Sequence, residues 1–399
     1  MGAHAGTKVI ARDNLTFAYD MDSAFSFKGA PTTNLYADGD FSTQTLHPAV
    51  NGPWSFVDGI TDPNGNKVIR VDQDGTTSWH GRDITVSIGV TYSASCWCWV
   101  SPDSNSTWVS LVGEQGYTPD SDYNLNQKGT WQYLSSTGTA VTTNARILTY
   151  QVSNMTQGHC LFGSVQFEQK SFATPFVNGT RSNTENIVDV GGTFTPNASS
   201  LTYNADGTFS YSGATANGGT QDRITVGIGS YPTAWTDPFS IEAWFKIPSG
   251  ADWQDEVTNG SNTGTGIVSR GDYGGAIGLW TSDTQNIRFT VRSVSNLYGH
   301  IHNAQFDTWY HMVGTHDGGT TNALKTYVNG VLVGTNSFTN QGDAPDSGVN
   351  WIVGGNNALG GTNGGFFEGD IPIARVYNKA LTAAEVEQNF RISKHRFGY

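Results

Sequence analysis

The sequence predicts an all-β protein of two antiparallel β-sandwich domains, with one short helix near the C-terminus. Three observations predict this fold class. Aromatic residues make up 12% of the 399 residues, charged residues make up only 14%, and 49 residues are Gly. Short runs that alternate apolar and polar residues recur along the chain, separated by clusters of Gly, Asp, Asn and Pro. Such runs are typical of half-buried strands, and their even spacing favours sandwiches over βαβ units.

The chain begins with a polar N-terminal arm, residues 1–13, which precedes the first predicted strand. In NLTFAYD, residues 14–20, the period of two places Leu15, Phe17 and Tyr19 on one side of that strand. The arm has no apolar stretch long enough for a secretion signal, so we expect no export signal.

Strand-like runs continue from NLYADGDFS to CLFGSVQFEQ and predict a first domain over residues 34–170. In the following FATPFVNGTRSNTEN, Pro175 and Gly179 break the pattern, which predicts a linker over residues 171–185. A second series of runs, from ENIVDVGG to IPIARVYN, predicts another sandwich within residues 186–399.

One helix is predicted near the C-terminus, over residues 383–391. Thr382 and Glu385 have the spacing of a capping box, and Leu381 with Val386 supplies the hydrophobic staple around it. Few apolar residues follow, so we expect the helix to pack as an accessory on the sandwich.

The stretch TWYHMVGTHDGG, residues 308–319, holds the densest group of reactive side chains. On a strand, Trp309, His311 and Val313 share one face, and the later Asn329-Gly330 pair suits a type I′ hairpin turn. This arrangement predicts that the stretch has a structural role and that His311 is a hydrogen-bonded core residue.

Charge and cysteine content exclude several classes of protein. A net charge of -13 would repel a phosphate backbone over most of the surface, which disfavours nucleic-acid binding. No window approaches the ~20 apolar residues of a membrane span. Cys96, Cys98 and Cys160 are too few for a zinc site, and we expect them to be small buried hydrophobic residues in a reducing compartment.

Five segments, in chain order, resemble the laminin-G/concanavalin-like jelly-roll domain: FSIEAWFKI, WYHMVGTHDGG, LKTYVNGVLVG, WIVGG and GDIPIARVYNKALTAAEV. The resemblance covers residues 186–391. Pro372 and Ala374 stand where many members of the family carry acidic residues, so no role that depends on those acids carries over.

Both ends of the chain resemble domains of this kind in bacteriophage virion proteins. The matching segments are DNLTFAYDMDSAFSFKGAPTTNL and QNFRISKHRFGY. The resemblance implies a discontinuous domain in which residues 14–33 supply the first strand and residues 34–170 are inserted after it. Insertion is tolerated where both ends leave from a surface loop.

The insert is similar to jelly-roll carbohydrate-binding modules, through TNLYADGDFS, GVTYSASCWCWVSP and FGSVQFEQKSFATPF. Such modules often hold a structural calcium near the first and last strands. The resemblance therefore implies that the carboxylates of Asp38, Asp40 and Glu168 are candidate ligands of a calcium ion. In the second domain, Asp272 is a further candidate carboxylate for calcium, or for a sugar hydroxyl.

No pattern of a known catalytic site is present. Retaining glucanases carry two carboxylates ~5 Å apart, as in E-x-D-x-x-E, whereas Glu242 stands alone in FSIEAWF and Glu256 lies in a predicted loop. The G-x-S-x-G, H-E-x-x-H, P-loop and EF-hand patterns are missing as well. We therefore predict a protein that is not an enzyme and requires no cofactor.

Exposed aromatic residues in polar surroundings are the candidates for binding, because a sugar or a partner protein can cover a flat apolar ring. For each ring the alternative is packing within a loop or interface. The candidate glycan-binding or partner-binding residues are Trp79, His80, Trp108, Tyr117, Tyr123, Trp253, Tyr273 and Tyr298.

The resemblance implies a surface-exposed bacteriophage virion structural protein, either a capsid decoration or a tail appendage such as a fiber, made in the host cytoplasm. Its expected partners are other virion proteins, further copies of itself in a homo-oligomer, and host surface polysaccharide, but neither nucleic acid nor membrane. The alternative is a bacterial cell-surface or secreted adhesin that binds polysaccharide. A glycan hydrolase is a third and weaker hypothesis.

Overall fold

The structure, a computed structural model, divides into two compact units. The inserted unit comprises Ala30–Ser182, and the flanking unit comprises Met1–Gly29 together with Asn183–Tyr399. The described residues are 13–21, 27–72, 75–151, 156–190, 194–205, 208–213, 222–228, 231–251, 265–271, 276–282, 285–293, 296–339, 349–355 and 366–399. The arm predicted over residues 1–13 lies almost wholly outside them.

The strands up to the end of the inserted unit are β1 (Leu15–Asp20), β2 (Thr32–Thr33), β3 (Ala49–Asn51), β4 (Trp54–Thr61), β5 (Lys67–Asp72), β6 (Ser78–Thr85), β7 (Thr91–Val100), β8 (Val109–Glu114), β9 (Ser121–Asp122), β10 (Trp131–Thr139), β11 (Asn144–Gln151), β12 (His159–Glu168) and β13 (Thr180–Arg181).

The remaining strands are β14 (Asn197–Ser199), β15 (Thr202–Tyr203), β16 (Phe209–Ser212), β17 (Arg223–Ile228), β18 (Phe239–Lys246), β19 (Gly266–Arg270), β20 (Ile277–Ser282), β21 (Asn286–Ser293), β22 (Asn296–Asn303), β23 (Trp309–His316), β24 (Leu324–Val328), β25 (Val331–Asn336), β26 (Asn350–Val353) and β27 (Glu368–Tyr377). One helix, α1 (Ala383–Ser393), follows β27, and no helix among the described residues has the length and apolar character needed to cross a membrane.

The inserted unit consists mainly of two five-stranded antiparallel sheets. Their strand orders are β10-β7-β12-β5-β4 and β3-β6-β11-β8-β9. Because side chains alternate along a strand, β7 directs Cys96 and Cys98 into the core and leaves Trp97 and Trp99 half-buried on the opposite face. Cys160 on β12 joins the same core, and all three cysteines are free and buried, as the sequence predicted.

The segment predicted as a linker packs into the inserted unit instead. Within it, β13 pairs with β2, and Thr174 is buried against Glu168. Arg181 is also buried, and its guanidinium donates two hydrogen bonds to the carbonyl oxygen of Ala30. These contacts satisfy buried polar groups of the inserted unit, and the unit therefore extends to Ser182 where the sequence indicated residue 170.

The flanking unit contains an eight-stranded sheet of order β15-β16-β27-β18-β23-β24-β25, with β1 also paired to β27. A seven-stranded sheet of order β14-β17-β26-β19-β20-β21-β22 completes the unit. In β1, Phe17 and Tyr19 enter the core shared by the sheets, but Leu15 does not, because the register shifts between Leu15 and Phe17. The prediction that the three side chains share one side is therefore wrong for Leu15, which packs with a smaller cluster beneath α1.

Helix α1 covers the outward face of β18, β23 and β27. Thr382 and Glu385 form both hydrogen bonds of the predicted capping box, and Leu381 and Val386 of the predicted staple are buried together. The helix continues to Ser393, two residues beyond the predicted end, since the Ser393 hydroxyl binds the carbonyl of Asn389 within the last turn.

Candidate functional site

Three aromatic rings lie in a row on the outward face of the sheet β3-β6-β11-β8-β9. Trp79 on β6 stands directly opposite Tyr150 on β11, and their ring centroids are 6.3 Å apart with planes inclined by 10°. The ring of Trp108, which immediately precedes β8, lies 5.3 Å from Tyr150 on the other side. All three side chains are half-buried, so the row presents partly open apolar surface.

Strand alternation explains why these rings point outward. On β11, Ala145 and Ile147 enter the core, whereas Arg146 and Tyr150 have the opposite parity. The antiparallel register then brings Trp79 to the same face as Tyr150.

A carboxylate fixes one end of the row. The indole Nε1 of Trp108 donates a hydrogen bond of 2.5 Å to Asp122 Oδ1 on the edge strand β9. Because the indole has a single N–H donor, this contact defines the tilt of the ring. Burial and the negative charge of Glu114 raise the pKa of Tyr150, so its hydroxyl remains a neutral donor and acceptor.

Charged groups occupy the far end of the same face. Arg146 donates from Nε to Asp83 Oδ1 at 2.6 Å and from Nη2 to Oδ2 at 3.1 Å. These hydrogen bonds lower the pKa of Asp83. Between the two ends, Gly81 leaves no room for a side chain, since a Cβ there would lie 2.0 Å from the carbonyl oxygen of Ile147. The face thus combines flat rings with orientated polar groups.

Three of the aromatic residues proposed as exposed are buried. His80 follows Trp79 on β6 and therefore points into the core, where its ring stacks on His47. Tyr117 donates to the carbonyl of Ser136 at 2.9 Å. The hydroxyl of Tyr123 lies 2.8 Å from the carbonyl oxygens of both Gln127 and Thr130 and shares its one proton between them. These hydroxyls satisfy backbone acceptors inside the unit, so none of the three rings offers a free face.

The flanking unit's candidates lie beyond what the structure describes. Trp253, Asp272 and Tyr273 fall outside the described residues. Tyr298 lies in β22, but its side chain is not described.

The three carboxylates proposed for calcium in the inserted unit have separate protein partners. Asp38 accepts hydrogen bonds from Ser42 and Thr43, and Asp40 accepts one from the amide of Asn178 at 2.7 Å. Glu168 is fully buried and accepts from Thr174 and from Gln166.

Both carboxylate oxygens of Glu168 accept hydrogen bonds from within the protein. Among the described residues, no group of three or more His, Cys, Asp or Glu side chains is arranged to hold a metal.

Sequence reasoning missed Tyr150, Asp122 and Arg146. The period of two in ARILTYQV indicates that Arg146 and Tyr150 share a face. It gives no information on which strand lies alongside, because the pairing of β11 with β6 joins distant parts of the chain. Asp122 stands in a strand of only two residues, which carries no periodic signal.

The flanking unit holds a buried polar cluster around Glu242 on β18. Arg375 Nη1 donates to Glu242 Oε1, and His311 Nε2 lies 3.1 Å from the same oxygen. Tyr377 and Asn389 donate to Oε2 at 3.1 and 2.7 Å. Burial by itself would raise the pKa of Glu242, but the charge of Arg375 and the hydrogen bond of His311 lower it to about 2.

The prediction that His311 is a hydrogen-bonded core residue is confirmed, since its side chain is 0% exposed and contacts Glu242. The hydrogen-bond partners of Glu242 come from β23, β27 and α1 and are remote in the sequence, and none of these partners is a second carboxylate.

Part of the chain matches the model of one known family. Residues 217–387 match the Laminin_G_3 family model, described as the concanavalin A-like lectin/glucanases superfamily. No curated protein matches the chain.

Solved structures similar to this chain include the receptor binding domain of botulinum neurotoxin D, at 15% identity and a TM-score of 0.39, covering 53% of this chain and 51% of that one. This chain thus spans about half the length of that toxin domain. Another is domain 4 of AbnA, a GH43 extracellular arabinanase from Geobacillus stearothermophilus, in complex with arabinotriose. That match has 18% identity and a TM-score of 0.35, and it covers 52% of this chain and 92% of the arabinanase domain.

Proposed function

We propose that this protein binds carbohydrate without cleaving it. Residues 217–387, in the flanking unit, match the family model of the concanavalin A-like lectin/glucanases superfamily, which supports the proposal. The binding surface in the inserted unit is the row formed by Trp79, Tyr150 and Trp108. The observation that supports the proposal most strongly is the placement of these rings side by side on an outward face.

The chemistry of the row suits a sugar chain. Sugar rings expose C–H groups that pack on aromatic faces, and their hydroxyls need orientated polar partners at the rim. Asp122 beside Trp108 and the neutral hydroxyl of Tyr150 supply such partners. An extended row of rings favours a chain of several sugar residues over a single one.

The proposed absence of catalysis rests on the environment of Glu242. A retaining hydrolase needs an acid and a nucleophile that face each other across the scissile bond. Glu242 is buried, held as a carboxylate by Arg375 and hydrogen-bonded on both oxygens, so it is available neither as a proton donor nor as a nucleophile.

The test is a glycan array followed by calorimetric titration of the best oligosaccharide. We expect Trp108→Ala and Trp79→Ala each to weaken binding about tenfold, corresponding to ~1.4 kcal/mol. Trp131→Ala is the matched control, because Trp131 is a half-buried tryptophan on the other sheet of the same unit. Equal losses in all three variants, or no loss in the first two, would contradict the assignment. Release of reducing sugar from the bound oligosaccharide would contradict the absence of catalysis.

We also propose that the protein lies on the surface of a bacteriophage particle, as a capsid decoration or tail appendage. There it forms a homo-oligomer and binds host polysaccharide. The support is the resemblance of residues 13–35 and 388–399 to phage virion proteins. Mass spectrometry of purified particles, with light scattering for the copy number, tests this placement. Recovery only from a bacterial cell surface would favour the adhesin alternative instead.

A further inference from the structure

A cleft of about 370 Å³ opens on the outward face of the eight-stranded sheet in the flanking unit. It lies between the β15-β16 hairpin, the adjacent ends of β18, β23 and β27, and the C-terminal turn after α1. Its principal lining residues are Asn204, Ser210, Lys246, Trp309, Asp370 and Arg396. The volume lies within the usual range for a small-molecule site, close to its lower end.

A chain of hydrogen bonds fixes the polar wall of the cleft. The amide of Asn204 donates to Ser210 Oγ at 3.1 Å, and Ser210 Oγ donates to Asp370 Oδ1 at 2.7 Å. Lys246 Nζ lies 3.2 Å from Asp370 Oδ2. The carboxylate is therefore held from both sides and cannot rotate freely.

This wall retains capacity for a ligand. A carboxylate has about four acceptor positions and an ammonium group has three donors, so Asp370 and Lys246 keep several after their mutual contact. Their side chains are 27% and 30% exposed. An acceptor and a donor in fixed positions beside each other match a pair of neighbouring hydroxyl groups.

Aromatic rings form the apolar wall. Lys246 Nζ lies 4.8 Å from the ring centroid of Trp309, and the ring of Phe397 lies 4.8 Å from Trp309 at an angle of 51°. Phe397 itself stacks on Trp244 at 4.2 Å. Each ring is supported by a neighbour, which holds the apolar wall in place before any ligand arrives.

The charges at the cleft cancel. Lys246 is paired with Asp370, and Arg396 donates to both carboxylate oxygens of Asp20 at 2.8 and 2.7 Å. An incoming anion would meet two cations that are already neutralised and two carboxylates that repel it. A neutral ligand with several hydroxyl groups meets no such penalty.

We propose that this cleft is a second binding site, specific for a single neutral sugar residue. It is a different site from the aromatic row, because its residues belong entirely to the flanking unit. The ligand places an apolar C–H face against Trp309 and Phe397. Two adjacent hydroxyls then bridge Asp370 and Lys246.

Ligand-observed NMR titration of the full chain tests the site with the methyl glycosides of glucose, galactose and mannose, and with glucuronate as the charged probe. At least one neutral glycoside should bind, and glucuronate should bind at least about tenfold more weakly. Asp370→Asn should weaken binding of that glycoside about tenfold, because an amide nitrogen replaces one acceptor oxygen. The matched control, Glu387→Gln on the exposed surface of α1, should leave it unchanged.

Two further variants ensure that the experiment can contradict the proposal even if one variant fails to fold. Lys246→Met removes the hydrogen-bond donor, and this variant should also weaken binding if Asp370→Asn fails to fold. The double variant Trp79→Ala/Trp108→Ala should retain the glycoside while losing the oligosaccharide, which separates failure of this site from failure of the aromatic row. The proposal is overturned if none of the neutral glycosides binds, if glucuronate binds as tightly, or if the cleft variants bind as the wild type does.

Discussion

Arg375 donates a hydrogen bond to Glu242 beneath helix α1, and both side chains are almost completely excluded from water. Strands β18 and β27 bring the two residues side by side, with Glu242 and Arg375 in direct register. Asn389 of α1 binds the same carboxylate, so the ion pair connects the helix to the sheet. An isolated charge in this position would be strongly unfavourable.

We expect Glu242→Gln to destabilise the flanking unit by about 3–5 kcal/mol, because it leaves Arg375 buried without its counter-charge. Guanidinium unfolding followed by tryptophan fluorescence measures the change. Glu387→Gln is the control, since the Glu387–Arg391 pair is exposed and should contribute less than about 1 kcal/mol. Equal midpoints for the two variants would show that the buried pair does not stabilise the fold.

The inserted unit should lose stability in mild acid. His47 and His80 stack with ring centroids 4.5 Å apart, and the backbone N–H of His47 donates to His80 Nε2 at 3.0 Å. Burial is the main cause that lowers their pKa values, to about 4 for His47 and about 3 for His80. The charge of His47 lowers the pKa of His80 further, the charge of Arg82 lowers the pKa of both histidines, and the charge of Asp38 raises both.

The unfolded chain binds protons at these histidines near pH 6.5, whereas the folded unit does so only near pH 4 and below. Stability is therefore complete above pH 6.5 and falls progressively as the pH drops toward 3. Denaturant unfolding at a series of pH values should show this slope, and His47→Gln should reduce it. The control variant His395→Gln, at an exposed histidine of the flanking unit, should leave this slope unchanged. A flat profile between pH 6.5 and 4 would contradict the prediction.

Asp122→Ala should weaken oligosaccharide binding at the aromatic row about threefold to tenfold, because Trp108 loses the acceptor that fixes its tilt. Thermal unfolding should change little, since the contact is exposed. Calorimetric titration measures the affinity, and Asp103→Ala, at another exposed aspartate of the same unit, is the control. Unchanged affinity would mean that the orientation of Trp108 is set elsewhere.

Gly81→Ala should destabilise the inserted unit by about 1–3 kcal/mol through overpacking. The added Cβ would lie 2.0 Å from the backbone carbonyl oxygen of Ile147, which belongs to the paired strand and cannot move independently. Gly319→Ala is the matched control, because its Cβ approaches only the carboxylate of Asp317, at 3.0 Å. Equal unfolding midpoints in the two variants would contradict this account.

The three cysteines should be inert in the native protein. Burial raises the pKa of Cys96 and Cys98, and it raises that of Cys160 to about 12, so the thiolate form is negligible at pH 8. A chromogenic disulfide reagent should detect no thiols in native protein and all three in guanidinium. A thiol that reacts rapidly before unfolding would contradict the burial of this core.

Local sequence patterns predicted several secondary-structure elements of the fold. The period of two identified β1, β18 and β23, and the spacing of Thr382 and Glu385 identified α1, because strand faces and helix caps involve residues close together in the chain. The burial of His311 also followed from the face it shares with Trp309 and Val313.

The functional surfaces depended on tertiary structure. Nothing in the sequence places Tyr150 beside Trp79, Arg375 beside Glu242, or Asp370 beside Lys246, since each contact joins strands that are distant in the chain. Likewise, the sequence alone made His80, Tyr117 and Tyr123 appear exposed, whereas sheet pairing and buried backbone acceptors draw them inward. Sequence determined which residues alternate along each strand, and the long-range register decided which of them meet.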